Sequence, residues 1–160
     1  MAKKKVAALP PLSTTLLPVQ ADDVLELDEL WSFVGRKKDQ AWVWIALCRR
    51  TRQVVGYRVG GRHYEDCHAF REAIDAAYRA CPTVSDFLAS YATVFANNRH
   101  LSCGKETGET AHVERWNNTL RQRVGRFVRK TLSFSKSWFM HTIVLRWFLH
   151  VYNMSPPVPK

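Results

Sequence analysis

The chain has 160 residues, 46% hydrophobic and 12% aromatic, which suffices for one domain with a real core and excludes a disordered composition. Its formal net charge of +10 raises the expectation of an anionic partner. Four cysteines form no CxxC pair, which argues against a zinc finger, so we expect reduced, mostly buried thiols in a cytoplasmic protein.

Residues 1–22 are predicted to form a flexible leader. Three lysines at 3–5 precede a mildly apolar run that Pro10, Pro11 and Pro18 interrupt. A signal peptide would look somewhat similar, but no clear small-residue cleavage site follows the run.

The next segment predicts an antiparallel meander of three strands. Residues 24–34 alternate apolar and polar side chains, residues 41–48 are continuously apolar, and residues 53–59 form a third candidate. Short polar turns separate the three strands, and Gly60-Gly61 ends the last one.

Helices and short strands then alternate. We predict a helix at 64–80, a strand at 83–85, a helical turn at 87–91 and a short strand within 97–104. A long helix begins near Thr110 and a last helix runs to about Tyr152, before a tail at 154–160. The predicted buried stripes of these two helices are Val113, Trp116, Leu120, Val124 and Phe127, and Met140, Val144, Trp147, Phe148 and Val151.

This order predicts an α/β fold, a mixed sheet with an antiparallel three-strand meander and flanking helices. It is also the order of a ribonuclease-H-like fold, although periodicity alone does not select that fold among mixed α/β plans. Trp116, Trp138 and Trp147 fit apolar stripes, so we expect core packing in preference to stacking on unpaired bases.

The positive charge is concentrated at the end of the chain. Residues 115–160 contain nine lysines and arginines and no acidic residue. Such a segment favours contacts with a polyanion such as DNA, although a solvated basic helix face is the alternative. The candidate DNA contacts are Arg115, Asn118, Arg121, Arg123, Arg126, Arg129, Lys130 and Lys136.

Three acidic residues stand out by position. Asp28 lies in the first strand, Asp86 follows the short fourth strand, and Glu114 lies in the first turns of a helix. Alone, Asp86 is equally consistent with a helix N-cap and Glu114 with a favourable early-helix charge. Together, strand ends and a facing helix would let the three hold Mg²⁺ or Mn²⁺, as two ions about 4 Å apart.

Two segments resemble the transposases of the insertion-sequence-one family. Residues 27–34, LDELWSFV, are similar to the first acidic motif of that family, and residues 112–137 are similar to its last acidic motif and following basic stretch. The resemblance implies a ribonuclease-H-like DDE catalytic domain over 23–153, with Asp28, Asp86 and Glu114 as catalytic metal ligands.

The sequence departs from that family at two places. Asp86 is followed by Phe87, where the family usually has Gly and an aromatic residue, although Tyr91 is retained. The family's full-length enzyme also carries a zinc-finger and helix-turn-helix region in front, often joined by frameshifting. Here only residues 1–20 stand in that place, which predicts the catalytic half alone.

The resulting expectation is a bacterial DNA transposase that binds DNA as a homo-oligomer and catalyses metal-dependent strand cleavage and transfer. The alternative is a truncated, non-catalytic DNA-binding product that regulates the full-length enzyme. Proximity of the three carboxylates would distinguish these, because a binding protein does not need them together.

Overall fold

The computed structural model describes residues 4–5 and 8–157 and has a five-stranded sheet with helices on both faces. The strands are β1 (Leu25–Phe33), β2 (Gln40–Cys48), β3 (Val54–Gly60), β4 (Thr83–Ser85) and β5 (Leu101–Ser102). The helices are α1 (Tyr64–Ala73), α2 (Ala89–Val94), α3 (Ala111–Arg123) and α4 (Trp138–Met154).

The sheet is mixed, in the order β3-β2-β1-β4-β5. β1, β2 and β3 form the predicted antiparallel meander, which is therefore confirmed. β4 pairs in parallel with β1, and β5 pairs in parallel with β4. β1 is the central strand, so its side chains face packed elements on both sides.

Two hydrophobic cores lie on the two faces of the sheet. Trp44, Ala46 and Cys48 of β2 pack with α1 and α2, whereas Val43, Ile45 and Leu47 pack with α3 and α4. This alternation follows from the period of two of a strand. The continuous apolar run of β2 reflects burial on both faces.

The first helix is shorter than predicted. α1 ends at Ala73, and Ile74 is extended and buried instead of continuing the helix. A Cβ on Gly56 would lie 2.6 Å from the Cα of Ile74, so Gly56 permits a close approach that a larger residue would block. The amide of Asp75 donates to the carbonyl of Val55 at 2.9 Å, a strand contact that competes with helix continuation.

The third helix also stops early. α3 ends at Arg123, Val124 is extended, and residues Gly125–Phe127 form a 3-10 turn. Phe127 is nevertheless buried, with its ring centroid 4.7 Å from that of His141. The prediction that Phe127 is buried is therefore correct, but the prediction that one helix continues to Phe127 is wrong.

The predicted buried stripe of the last helix is correct at Phe148 but wrong at Trp147 and Val151. Trp147 and Val151 are 56% and 54% exposed, and Trp138 is 47% exposed, so the expected core packing of two tryptophans is also wrong. Trp116 is buried as predicted. α4 has a single charged residue, Arg146, so apolar side chains occur all around it and periodicity could not select the buried face. That face contains His141, Ile143, Leu145, Phe148, Leu149, His150, Tyr152 and Asn153.

The described part of the predicted leader contacts the body. The side-chain amide of Gln53 donates to the carbonyl of Thr15, the hydroxyl of Tyr78 donates to the carbonyl of Leu17, and Leu12 packs against the second core. All four cysteines are buried and free, as predicted. In the described ranges no helix is both long and apolar enough to cross a membrane.

Candidate active site

Three acidic side chains from separate elements line one cleft of about 320 Å³. Asp28 comes from the middle of β1, Asp86 follows β4, and Glu114 lies in the first turn of α3. Glu26 of β1 pairs with Val84 of β4 in parallel register, so Asp28 and Asp86 each lie two residues beyond that pair in the same direction. The sheet therefore brings together two acids that are distant in sequence.

α3 is held against β1 by a matched pair of contacts. Glu26 accepts hydrogen bonds from the amides of His112 and Val113, both at 2.9 Å. Four residues after Val113, the Asn117 amide donates to Oδ2 of Asp28 at 2.6 Å. Two residues of a strand advance by about 6.6 Å, and four residues of a helix advance by about 6 Å. The contacts of Glu26 with Val113 and of Asp28 with Asn117 are therefore both compatible with α3 lying along β1. Glu114 lies between them and is thereby directed to the cleft.

Glu26 is a buried carboxylate that sequence reasoning did not single out. Its Oε1 also meets Nδ1 of His112 at 2.7 Å and accepts from Nε of Arg49 at 2.9 Å. Burial raises its pKa, while its donors, the Val113 amide and Arg49 foremost, act in the opposite direction. His112 therefore contacts Glu26 from the first turn of α3.

The carboxylate of Asp28 is electrostatically strained. Burial, followed by the charge of Glu29, raises its pKa to about 7, and the charges of Asp86 and Glu114 act in the same direction. The Glu29 amide, which donates to Oδ1 at 2.9 Å, opposes the rise. A cation in the cleft would relieve this repulsion.

The other two acids are positioned by local hydrogen bonds. The Thr110 hydroxyl donates to Oε1 of Glu114 at 2.9 Å. Oδ1 of Asp86 accepts from the amide of Leu88 at 3.1 Å, a turn contact just before α2. Asp86 is not the N-cap of α2, because the helix begins at Ala89 with Leu88 at the N-cap position and without a side-chain cap; its side chain borders the cleft instead.

A fourth carboxylate in the cleft was also missed. Glu29 accepts two hydrogen bonds from Arg62, at 2.7 and 3.0 Å, and one from the hydroxyl of Tyr91 at 2.7 Å. The guanidinium of Arg62 lies 4.6 Å from the ring centroid of Trp42. Strand alternation directs the side chain of Glu29 away from that of Asp28 and towards Tyr91, although both residues line the cleft. The retained Tyr91 of the motif is the sequence feature that could have indicated Glu29.

Cations surround these acids. Three of the predicted DNA-binding residues, Asn118, Arg121 and Arg129, line the cleft, and Arg62 and Lys105 add two cations that the prediction did not include. Burial, followed by the nearby charge of Arg129, lowers the pKa of Arg121. Among the described residues, Nε of Arg121 and Oδ1 of Asn117 are buried without a hydrogen-bond partner. The first could serve an anion and the second a cation or water.

The remaining basic candidates lie elsewhere. Arg123, Arg126 and Lys136 line a second cleft of about 580 Å³, formed by the end of α3, residues 124–137 and Met140. Arg115 and Lys130 are exposed and belong to neither cleft. Of the eight predicted DNA-binding residues, three therefore line the acidic cleft, three line the second cleft and two line neither.

The donor chemistry of the acidic cleft fits a hard divalent cation. Its lining supplies four carboxylates, three of which act through their charge to raise the pKa of the fourth, Asp28, together with the unpartnered oxygen of Asn117. Among the described residues, no three His, Cys, Asp or Glu side chains lie close enough together to hold a metal ion in their present positions. Direct ligation would require the carboxylates to draw closer.

Comparison with known proteins finds one family in both the family model and the individual relatives. The model of a family described as IS1 transposase matches residues 23–154. The InsB protein of insertion element iso-IS1n from Shigella dysenteriae is 38% identical over 128 residues, covering 79% of this chain and 93% of that protein.

Two further relatives are the InsB proteins of IS1 from Shigella flexneri and of IS1 4 from Escherichia coli K12. The first is 31% identical, covering 79% of this chain and 93% of that protein. The second is 30% identical, covering 89% and 85% respectively.

Proposed function

Because this chain belongs to the IS1 transposase family, we propose that it catalyses divalent-metal-dependent cleavage and joining of DNA strands at the acidic cleft. The observation that carries this proposal is that Asp28, Asp86 and Glu114 line one cleft together with four basic side chains. The sheet order β3-β2-β1-β4-β5 supports a ribonuclease-H-like fold for the catalytic domain.

Asp28, Asp86 and Glu114 would hold the metal, Mg²⁺ or Mn²⁺. Bound there, the metal would supply charge stabilisation for an in-line displacement at phosphorus. Asn117 orients Asp28 through its 2.6 Å hydrogen bond, and Thr110 orients Glu114. These contacts limit the rotamers of two ligands before any cation binds.

The cations would bind and orient the DNA backbone. Arg121, half-buried with its Nε unpartnered among the described residues, is suited to a phosphate beside the reacting one. Arg129 and Asn118 line the same cleft, and Arg123, Arg126 and Lys136 would extend the contact along the second cleft. Such contacts give affinity and register with little sequence discrimination.

The alternative of a non-catalytic DNA-binding product has less support. Phosphate binding alone would be weakened by four carboxylates in the same cleft, because like charges repel DNA. The grouping of four carboxylates in one cleft is explained if a bound cation neutralises their charge. The expected assembly is a homo-oligomer on DNA.

The test is strand transfer with DNA that carries the element's own ends, supplemented with an end-binding region if the chain requires one. Glu114→Gln preserves the shape of α3 but removes the charge that binds a hard cation, so activity should fall by at least about 10³-fold with unchanged DNA affinity. The matched control is Glu106→Gln, an exposed acid outside the cleft, which should retain activity. An active Glu114→Gln protein would exclude Glu114 as a ligand.

A further inference from the structure

The exposed side of α4 carries a continuous apolar stripe. We define it by Met140, Val144, Trp147, Val151 and Met154. Trp147, Val151 and Met154 are 56%, 54% and 72% exposed, and Met140 and Val144 are half-buried. The core-facing residues Leu145, Phe148 and Tyr152 lie about 80–140° around the helix from the centre of the stripe.

The spacing of the stripe matches a helix partner. Its members are separated by four, three, four and three residues, which is the 3.5-residue repeat of helix-on-helix packing. Val144 and Val151 occupy the positions at which β-branched residues favour two-stranded pairing. The longer side chains of Met140, Trp147 and Met154 alternate with them.

The charge of this side of α4 argues against DNA as the occupant. The only charged residue of α4 is Arg146, and its guanidinium is engaged by the carbonyls of Leu9 and Pro10. Two chains that each carry +10 would repel one another through most of their surface. The uncharged stripe is a place where two copies can meet with little of that repulsion.

The exposed area is sufficient for a modest symmetric contact. The stripe exposes about 400 Å², within the ~300–600 Å² of the largest apolar patches on monomers. Two copies, with their flanking atoms, would remove about 1,000 Å² in total, near the lower limit for a specific interface. The partner supplies the same spacing, so the contact is self-complementary.

We propose that this stripe is a homodimer interface in which α4 packs against α4 of a second copy. None of its residues lines the acidic cleft, so the interface does not depend on the proposed chemistry, although Met140 at one end of the stripe also borders the second cleft. It accounts for an apolar pattern that the sequence predicts to be buried and that residues 4–5 and 8–157 of a single chain leave exposed.

Sedimentation velocity of the whole chain without DNA or metal, from about 1 to 100 µM, tests the proposal. The unmodified chain should dimerise, and Trp147→Gln with Val151→Ser should weaken the dimer by about 100-fold or more. The control is Phe139→Gln, which is equally exposed at 56% on α4 but lies about 100° around the helix from the stripe. That variant should dimerise like the unmodified chain.

A second measurement does not depend on a variant that weakens the dimer. Val151→Cys should form a disulfide-linked dimer on mild oxidation, whereas the unmodified chain, with its four buried cysteines, should not. A monomeric unmodified chain at about 100 µM would overturn the proposal, as would a double variant that still dimerises tightly. Either result would leave the proposed catalysis unaffected.

Discussion

At the residue scale, the acidic cleft is a site of stored electrostatic repulsion. Asp28 has burial and three neighbouring carboxylates acting against its ionised form. Its hydrogen bonds with Asn117 and the Glu29 amide offset only part of this cost. The metal-free protein should therefore be less stable than its packing alone implies.

We expect Asp28→Asn to stabilise the metal-free protein at neutral and alkaline pH. The folded-state pKa of about 7 lies above the unfolded value near 3.9, so the folded state binds more protons and loses stability as pH rises between them. The asparagine variant lacks this loss, which could reach about 4 kcal/mol. Urea unfolding in EDTA from pH 4 to 8 measures the difference.

The control for that experiment is Asp22→Asn, because Asp22 is an exposed acid outside the cleft. Its pH profile should follow that of the unmodified chain. A stability difference between Asp28→Asn and the unmodified chain that stays constant over the range would contradict the raised pKa. Saturating Mg²⁺ should stabilise the unmodified chain more than Asp28→Asn.

At the element scale, α3 depends on Glu26 for its position. This buried carboxylate satisfies two amides at the start of α3 and pairs with Arg49. Glu26→Gln should lower the free energy of unfolding by about 2–3 kcal/mol, because it removes the charge that compensates Arg49 and the helix terminus. It should also increase hydrogen exchange at the first α3 amides.

Glu109→Gln is the matched control, since Glu109 also accepts from Arg49 but its side chain is 41% exposed. An exposed pair contributes little, so the loss should stay below about 1 kcal/mol. Equal losses in the two variants would show that burial of Glu26 does not matter. Denaturant unfolding measures both.

His141 links the segment after α3 to the sheet. Its ring nitrogens meet the hydroxyls of Ser135 at 2.8 Å and Ser32 at 2.9 Å. Burial, with the charge of Arg126, lowers the pKa of His141 to about 4. The unfolded chain therefore binds the extra proton between about pH 6.5 and 4, and stability falls as pH falls through that window.

His141→Gln should remove about 3 kcal/mol of this pH dependence between pH 6.5 and 4, whatever its effect on stability at neutral pH. His63→Gln, which alters an exposed histidine, should leave the pH dependence in place. Unfolding curves at a series of pH values distinguish the two. An unchanged slope in His141→Gln would disprove the assignment.

At the scale of the whole molecule, charge and architecture are coupled. The acid-free segment from residue 115 onward supplies most of α3, the 124–137 connection and α4, all associated with one face of the sheet. α1 packs on the other face. The residues that this segment contributes to the surface proposed for DNA therefore come from elements on one face of the sheet, whereas Arg62 and Lys105 come from other parts of the chain.

DNA affinity should fall steeply with salt and depend little on sequence. Arg126→Glu with Arg129→Glu should weaken binding at low salt and reduce the slope of log affinity against log salt by about 2. The control is Arg71→Glu on α1, which should bind nearly as the unmodified chain does. Fluorescence anisotropy at several salt concentrations measures this, and a salt-independent affinity would contradict the proposal.

Much of this arrangement was predictable because it depends on local pattern. Alternation located the meander, and apolar spacing located the start of α1 but not its end. Motif resemblance identified the family and supplied Asp28, Asp86 and Glu114 as candidate ligands. The charge asymmetry is a property of composition alone. Each of these signals lies within one segment of chain, so no long-range contact is needed to detect it.

Only the tertiary structure revealed the roles of Glu26, Glu29 and Arg62, because each depends on a partner far away in sequence. The end of α1 was decided by the close approach of Ile74 to Gly56. The buried face of α4 was decided by the surface available beneath it, since a helix that is apolar on every side carries no periodic signal of its orientation. Burial is a property of the assembled chain, which is why sequence spacing identified an apolar stripe but not whether the chain covers it.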